Sequence, residues 1–182
     1  MNKAIFLDRD GVLNKDTGYP HKIEDFILSD GVVSGLKKLK DFKFFIISNQ
    51  SGIGRGYYTE EDFHNFNNHL LDILNKNNIK IERTYFCPHH PNEVCDCRKP
   101  NTKFIKEATK EFNIDLTNSW VIGDHPHDVE MGINAGCKAI YLLTGHGKKH
   151  FDELKKENIK PNFTAENFMQ AAEFIIHNKT NN

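Results

Sequence analysis

Asp8-Arg9-Asp10-Gly11 sets two carboxylates two residues apart, directly after the apolar run Ala4-Ile5-Phe6-Leu7. On extended backbone both side chains can face one pocket. A carboxylate can attack phosphorus and form a covalent aspartyl-phosphate, and a second acid can protonate the leaving oxygen and then activate water. Two acids this close repel, and a divalent cation relieves the repulsion. Taken alone, the motif is equally compatible with a turn at a strand end, where Asp and Gly are ordinary.

Further groups give the pair a context. Gly123-Asp124, with Asp128 four residues on, places acid after the run Trp120-Val121-Ile122. Hard cations such as Mg²⁺ take oxygen ligands and bind phosphate oxygens as well, so Asp8, Asp124 and a backbone carbonyl near Asp10 suit one. Helix N-capping is the competing use of Asp124 and Asp128. Ser48-Asn49-Gln50-Ser51-Gly52 offers a hydroxyl, amides and backbone N–H groups that can cradle phosphate oxygens. Lys99 can neutralise charge building on a transferring phosphoryl group, and Arg98 can grip a second phosphate or a hydroxyl bidentately.

A different chemistry lies between. Cys87-Pro88-His89 and Cys95-Asp96-Cys97 supply three thiols and an imidazole within eleven residues. Such a set suits tetrahedral Zn²⁺ in a closed structural site, with Cys87, His89, Cys95 and Cys97 as ligands and His90 the poorer candidate. The staple would fix Arg98 and Lys99, the next two residues. Cys137 follows Gly136 before an apolar run and reads as a small buried residue.

The elements that must position these groups are legible as strands at 3–7, 44–47, 83–87, 120–122 and 139–143. Helices carry Val32, Val33, Leu36 and Leu39; Phe63, Phe66, Leu70 and Leu74 behind a Thr59/Asp62 cap; Phe104, Ala108 and Phe112; Met131 and Ala135; and Phe168 to Ile176. Residues 52–56, with three glycines, read as a flexible loop. The Lys-rich segment 145–160 reads as surface, and residues 178–182 as a frayed tail. Alternating strands and helices imply an α/β fold with a mostly parallel sheet covered on both faces. Ligands of such sheets gather beyond the carboxyl ends of the strands, where Asp8, Ser48 and Asp124 all fall.

With 182 residues, one domain over 1–182 is expected. Net charge is −1, so no broad field favours nucleic acid or a membrane surface. The apolar start is short and ends in an acid, which argues against a signal peptide and for the cytoplasm. A monomer is the expected state.

The motifs Asp8-Arg9-Asp10-Gly11, Ser48-Asn49-Gln50-Ser51-Gly52-Ile53, Cys95-Asp96-Cys97-Arg98-Lys99-Pro100 and Gly123-Asp124 resemble, in order, those of the haloacid dehalogenase superfamily. Within it, the chain is similar to the heptose 1,7-bisphosphate phosphatase family, and secondarily to histidinol-phosphatase domains. The resemblance spans roughly residues 3–145. It implies a three-layer Rossmann-like sandwich without a large cap domain. It also implies Asp8 as nucleophile, Asp10 as proton donor, and Ser48 and Lys99 as phosphoryl stabilisers. Asp8, the Asp10 carbonyl and Asp124 would hold Mg²⁺, and the Cys/His loop Zn²⁺. Asp16-Thr17-Gly18-Tyr19, Asn49, Gln50, Ser51 and Arg98 would meet the substrate. The family often carries Lys where this chain has His125, which binds phosphate more weakly near neutral pH.

Three functions compete at this level. A heptose bisphosphatase removing the C7 phosphate should meet a remote phosphate with Arg98, Arg55 or His125. A histidinol-phosphate phosphatase should show extra acid at the pocket mouth and little use for Arg98. A non-catalytic zinc-scaffolded phosphate-binding module should lack one of the two leading acids, and both are present.

Overall fold

The computed structural model describes residues 1–178. Six strands form a single sheet, β1 (Ala4–Leu7), β2 (Lys43–Asn49), β3 (Ile81–Cys87), β4 (Trp120–Gly123), β5 (Lys138–Leu142) and β6 (Phe163–Ala165). Their order is β3-β2-β1-β4-β5-β6, and every neighbouring pair is parallel. Successive segments grow outward from β1 to one side and from β4 to the other. The order therefore reverses between β1 and β4, and a crevice opens beyond their carboxyl ends.

The central strands are apolar at every position, as strands buried on both faces must be. Alternation divides their side chains. Ile5, Leu7, Ile46, Ile122, Ile140 and Leu142 point to one layer. There they meet α1 (Val32–Lys38), α3 (Glu60–Lys76) and α7 (Phe168–His177). Ala4, Phe6, Phe45, Ile47 and Val121 point to the other. They pack on α4 (Lys103–Phe112) and on Met131 of α5 (Pro126–Ala135). This is the expected three-layer α/β sandwich. Thr59 and Asp62 form the expected reciprocal cap on α3. On α4 the inner face is Ile105 and Ala108, with Phe104 and Phe112 half-buried against Tyr85 and Phe45.

Two segments differ from expectation. Residues 52–56 are not all loop, because Ser51–Gly54 makes one helical turn, α2. Its end is tied down by the Gly54 N–H donating to the Pro88 carbonyl at 2.8 Å. The Lys-rich stretch contains α6 (Gly147–Lys156), whose Leu154 is buried with Val129, Ala139 and Tyr141. Its few apolar residues sit on one face, and the lysines hide that periodicity in sequence. The three residues of β6 are too few to show a strand period. Asn178 is bonded to the Phe174 carbonyl, and the remainder of the expected frayed tail lies outside the described residues. No helix among the described residues is long and apolar enough to cross a membrane.

Candidate active site

A cavity of about 480 Å³ lies over the strand ends, lined by Asp8, Asp10, Ser48, Lys99, Asp124 and Asp128, among others. β1 delivers Asp8, β2 delivers Ser48, β4 delivers Asp124, and the segment before α4 brings Lys99. Lys99 is 4% exposed. Its ammonium lies 2.7 Å from Asp8 Oδ1 and 2.7 Å from Asp128 Oδ1, and donates to the Ile47 carbonyl at 3.0 Å. Burial alone would push this amine down, but the Asp128 and Asp8 carboxylates outweigh it and hold it above the ordinary lysine range, so it stays charged.

The Lys99 backbone is held as firmly as its head group. Asn49 at the end of β2 accepts from the Lys99 N–H at 3.0 Å, and its amide nitrogen faces the Lys99 carbonyl at 3.5 Å. Asn49 lines the cavity as expected, but its side chain serves the lysine.

Asp8, Asp124 and Asp128 each offer an oxygen within 4.8 Å of the others. Burial pushes the Asp124 carboxyl up to about 9, with Asp8 and Asp128 adding repulsion. Burial likewise raises Asp8 to about 7, against the pull of Lys99. Three crowded carboxylates are what a hard divalent cation would relieve, and their all-oxygen donor set fits Mg²⁺. Asp128 caps α5 and also pairs with Lys99. Its Oδ2 accepts from the His125 N–H at 3.1 Å, capping α5, while Oδ1 faces Lys99.

Asp124 is seated between two loops. Its Oδ2 accepts from the His146 N–H at 2.7 Å. A β-carbon on Gly11 or on Gly145 would fall 2.1 Å from that oxygen, and both glycines have positive φ. Thr144 ties the same two loops together by donating to the Gly11 carbonyl at 2.7 Å.

Asp10 is oriented by four donated hydrogen bonds. Arg9 Nε reaches Oδ1 and a terminal Arg9 nitrogen reaches Oδ2, each at 2.9 Å. Asn14 adds one at 2.9 Å and Gln50 one at 2.8 Å. Arg9 is fully buried, with Phe63 and Phe66 of α3 at 5.1 and 4.8 Å from its guanidinium carbon. Gln50 is the hub of this wall. Its nitrogen also donates to Ser48 Oγ at 2.8 Å, and its oxygen accepts from Tyr58 at 2.6 Å and Arg9 at 3.2 Å. Arg9, Asn14, Tyr58 and His146 were not singled out from sequence. Arg9 had a visible signal, its place between two acids; the others needed the fold.

The rim differs from expectation in several places. Asp16, Gly18, Tyr19, Gln50, Ser51 and His125 line the cavity, but Thr17 and Arg55 are exposed and outside it. Arg98 is also outside it. Its terminal nitrogens donate to the carbonyls of His89, His90, Pro91 and Glu93, so its fork holds the loop. Burial pushes His125 down to about 4, with His127 and His150 adding to the effect, so near neutral pH it is no cation.

That loop carries the second cluster. His89 Nδ1 lies 3.5 Å from Cys87 Sγ and 3.2 Å from Cys97 Sγ, and Cys87 lies 3.6 Å from Cys95 and 3.0 Å from Cys97. Tetrahedral bonds of about 2.3 Å to one zinc ion imply sulfur–sulfur separations of roughly 3.7 Å, which Cys87–Cys95 matches and Cys87–Cys97 would reach by a small opening. All four cysteines are free thiols, and Cys137 is buried apart from the cluster, as expected. His90 takes no part; its Nδ1 accepts from the Asn92 N–H.

Comparison with known proteins gives this geometry its relatives. A HAD-hydrolase-like family model matches residues 96–171. The D-glycero-beta-D-manno-heptose-1,7-bisphosphate 7-phosphatase of Haemophilus influenzae is 41% identical over 81% of this chain and 88% of its own. The corresponding alpha-anomer enzyme of Campylobacter jejuni is 42% identical over 87% and 92%. Among solved structures, the D,D-heptose 1,7-bisphosphate phosphatase from B. bronchiseptica, complexed with magnesium and phosphate, superposes with a TM-score of 0.86 at 26% identity, covering 97% of this chain and 99% of that one.

Proposed function

We propose, from the premise that this chain belongs to the heptose-1,7-bisphosphate 7-phosphatase family of HAD-like phosphatases, that it hydrolyses the C7 phosphate ester of D-glycero-D-manno-heptose 1,7-bisphosphate. The observation that carries the reading is the convergence of Asp8, Lys99, Asp128 and Asp124 beyond adjacent strand ends. Asp8 attacks phosphorus and becomes the aspartyl-phosphate. Asp10, held in register by Arg9, Asn14 and Gln50, delivers a proton to the departing sugar oxygen and then takes one from the water that cleaves the acyl phosphate. Lys99 and the Ser48 hydroxyl stabilise the phosphoryl oxygens.

Asp8, Asp124 and the Asp10 carbonyl would hold Mg²⁺, which supplies charge neutralisation between the phosphate and the acids. Cys87, His89, Cys95 and Cys97 would hold structural Zn²⁺. Asp16, Gly18, Tyr19 and Ser51 form the substrate-facing rim. The chain acts as one domain, a monomer in the cytoplasm.

Asp16 at the mouth and the diversion of Arg98 are what a histidinol-phosphate phosphatase would show. Relatives of both heptose anomers at about 40% identity weigh the other way. Initial rates on the two heptose bisphosphate anomers and on histidinol phosphate, with Mg²⁺, decide between them. The heptose substrates should have the larger kcat/KM, and a preference for histidinol phosphate would overturn the substrate assignment. Asp8→Asn should lose on the order of 10⁴-fold or more in kcat with the circular dichroism spectrum unchanged.

A further inference from the structure

A cluster of imidazoles beside the acid pocket is unused by this chemistry. His125 caps α5, and His150 and Glu153 lie on α6. One nitrogen from each ring and one Glu153 oxygen lie within 4.8 Å of one another. The His125 and His150 ring centres are 4.7 Å apart, with His127 at 4.6 Å from His125 and His146 at 5.7 Å from His150. His150 Nδ1 and Glu153 Oε1 are 2.7 Å apart.

An i,i+3 His–Glu contact on one helix is, by itself, an ordinary surface pair. The third member changes that, because His125 arrives from the start of another helix and turns two neighbours into a three-donor face. Two imidazoles and a carboxylate recur in zinc sites that keep an open position. Tetrahedral bonds of about 2.0–2.2 Å place adjacent ligand atoms roughly 3.4 Å apart, a separation His150 and Glu153 reach when their 2.7 Å contact opens slightly to admit the ion. Imidazole nitrogen selects Zn²⁺, Co²⁺ or Ni²⁺ over Mg²⁺, so the set is complementary to the all-oxygen acids nearby.

We propose that His125, His150 and Glu153 form a second transition-metal site, distinct from the thiol cluster and from the magnesium acids, behind the wall of the catalytic cavity that His125 lines. His125, His127 and His146 line that cavity, where Lys99 is the lone lysine or arginine and is already paired with two acids. A divalent ion here would add positive charge to a wall that has none to spare. Any benefit to a bisphosphate rests on the substrate reading above; the site does not.

Calorimetric titration of Ni²⁺ into untagged, zinc-loaded protein in excess Mg²⁺ tests it. Wild type should take up one equivalent. His150→Ala should weaken binding at least tenfold and Glu153→Gln by a smaller factor. Both variants should keep the wild-type Tm and, without Ni²⁺, the wild-type Mg²⁺-dependent rate on a generic phosphate ester. No uptake, uptake unchanged in His150→Ala, or uptake accompanied by thiolate-to-nickel charge-transfer absorption would overturn the site. None of these outcomes depends on which sugar phosphate is turned over.

Discussion

The thiol cluster and the carboxylate cluster are built in opposite ways. Three thiols and an imidazole come from eleven consecutive residues, the end of β3 and the loop after it, held by Arg98 and by their own contacts. Three carboxylates come from residues 8, 124 and 128, brought together by β1, β4 and the first turn of α5. In the second case Lys99 already sits between two of the acids. One cluster therefore depends on its ion for shape, and the other is shaped by the fold before any ion arrives. Adjacent residues join them: Arg98 turns back to brace the loop, and Lys99 turns forward to the nucleophile.

The sharpest way to break this contrast is to remove each ion separately. Stripping zinc should lower Tm by more than about 10 °C, since structural zinc contributes on the order of 10 kcal/mol in small sites. Omitting Mg²⁺ from zinc-loaded protein should shift Tm by far less. Equal shifts in a thermal melt would mean that both clusters are ion-dependent.

Next in size is Lys99→Met, which leaves Asp8 and Asp128 buried without a counter-charge. A loss of about 3–5 kcal/mol in urea unfolding is expected, with Asp128→Asn in the same chain restoring part of it. No recovery would show that Lys99 contributes through packing and not through pairing.

A smaller effect is read along the pH axis. In Mg²⁺-free protein the folded-state values of Asp8 and Asp124, about 7 and about 9, lie above the unfolded value of about 3.9. Folded protein then binds more protons than unfolded protein, so stability should fall as pH rises from about 4 to about 9. Saturating Mg²⁺ should flatten the slope; a curve unaffected by the ion would separate these acids from the metal.

The finest test concerns Arg9. Arg9→Lys keeps the charge and loses the fork, so kcat should fall about tenfold with KM within twofold, as for a group that only aims Asp10. An unchanged kcat would leave Arg9 as a core residue and nothing more.

What the sequence made legible follows the same division. The thiol loop was readable because its ligands are local and their spacing is their geometry. Asp8 and Asp124 were readable through strand ends, since a parallel sheet gathers such ends. Lys99 was readable by type and position. The partners of Arg98 were not legible, because they are backbone carbonyls of a loop whose turn no residue type announces. Arg9 was passed over as a spacer, although its burial depends on Phe63 and Phe66 more than fifty residues away. His125 was expected to bind phosphate only weakly near neutral pH, and the packing around it, which lowers it further, was not legible. The α6 helix was hidden because its lysines dominate its composition while Leu154 alone is deeply buried among its side chains.

Gly11 and Gly145 carry no functional group, yet each touches the space of the Asp124 carboxylate. The acid occupies a slot whose two walls are missing side chains. Every residue with a β-carbon is shut out of both positions, which lie more than a hundred residues apart. A reactive group here fixes the identity of residues that never react, and the cost of one acid is shared by three places in the chain.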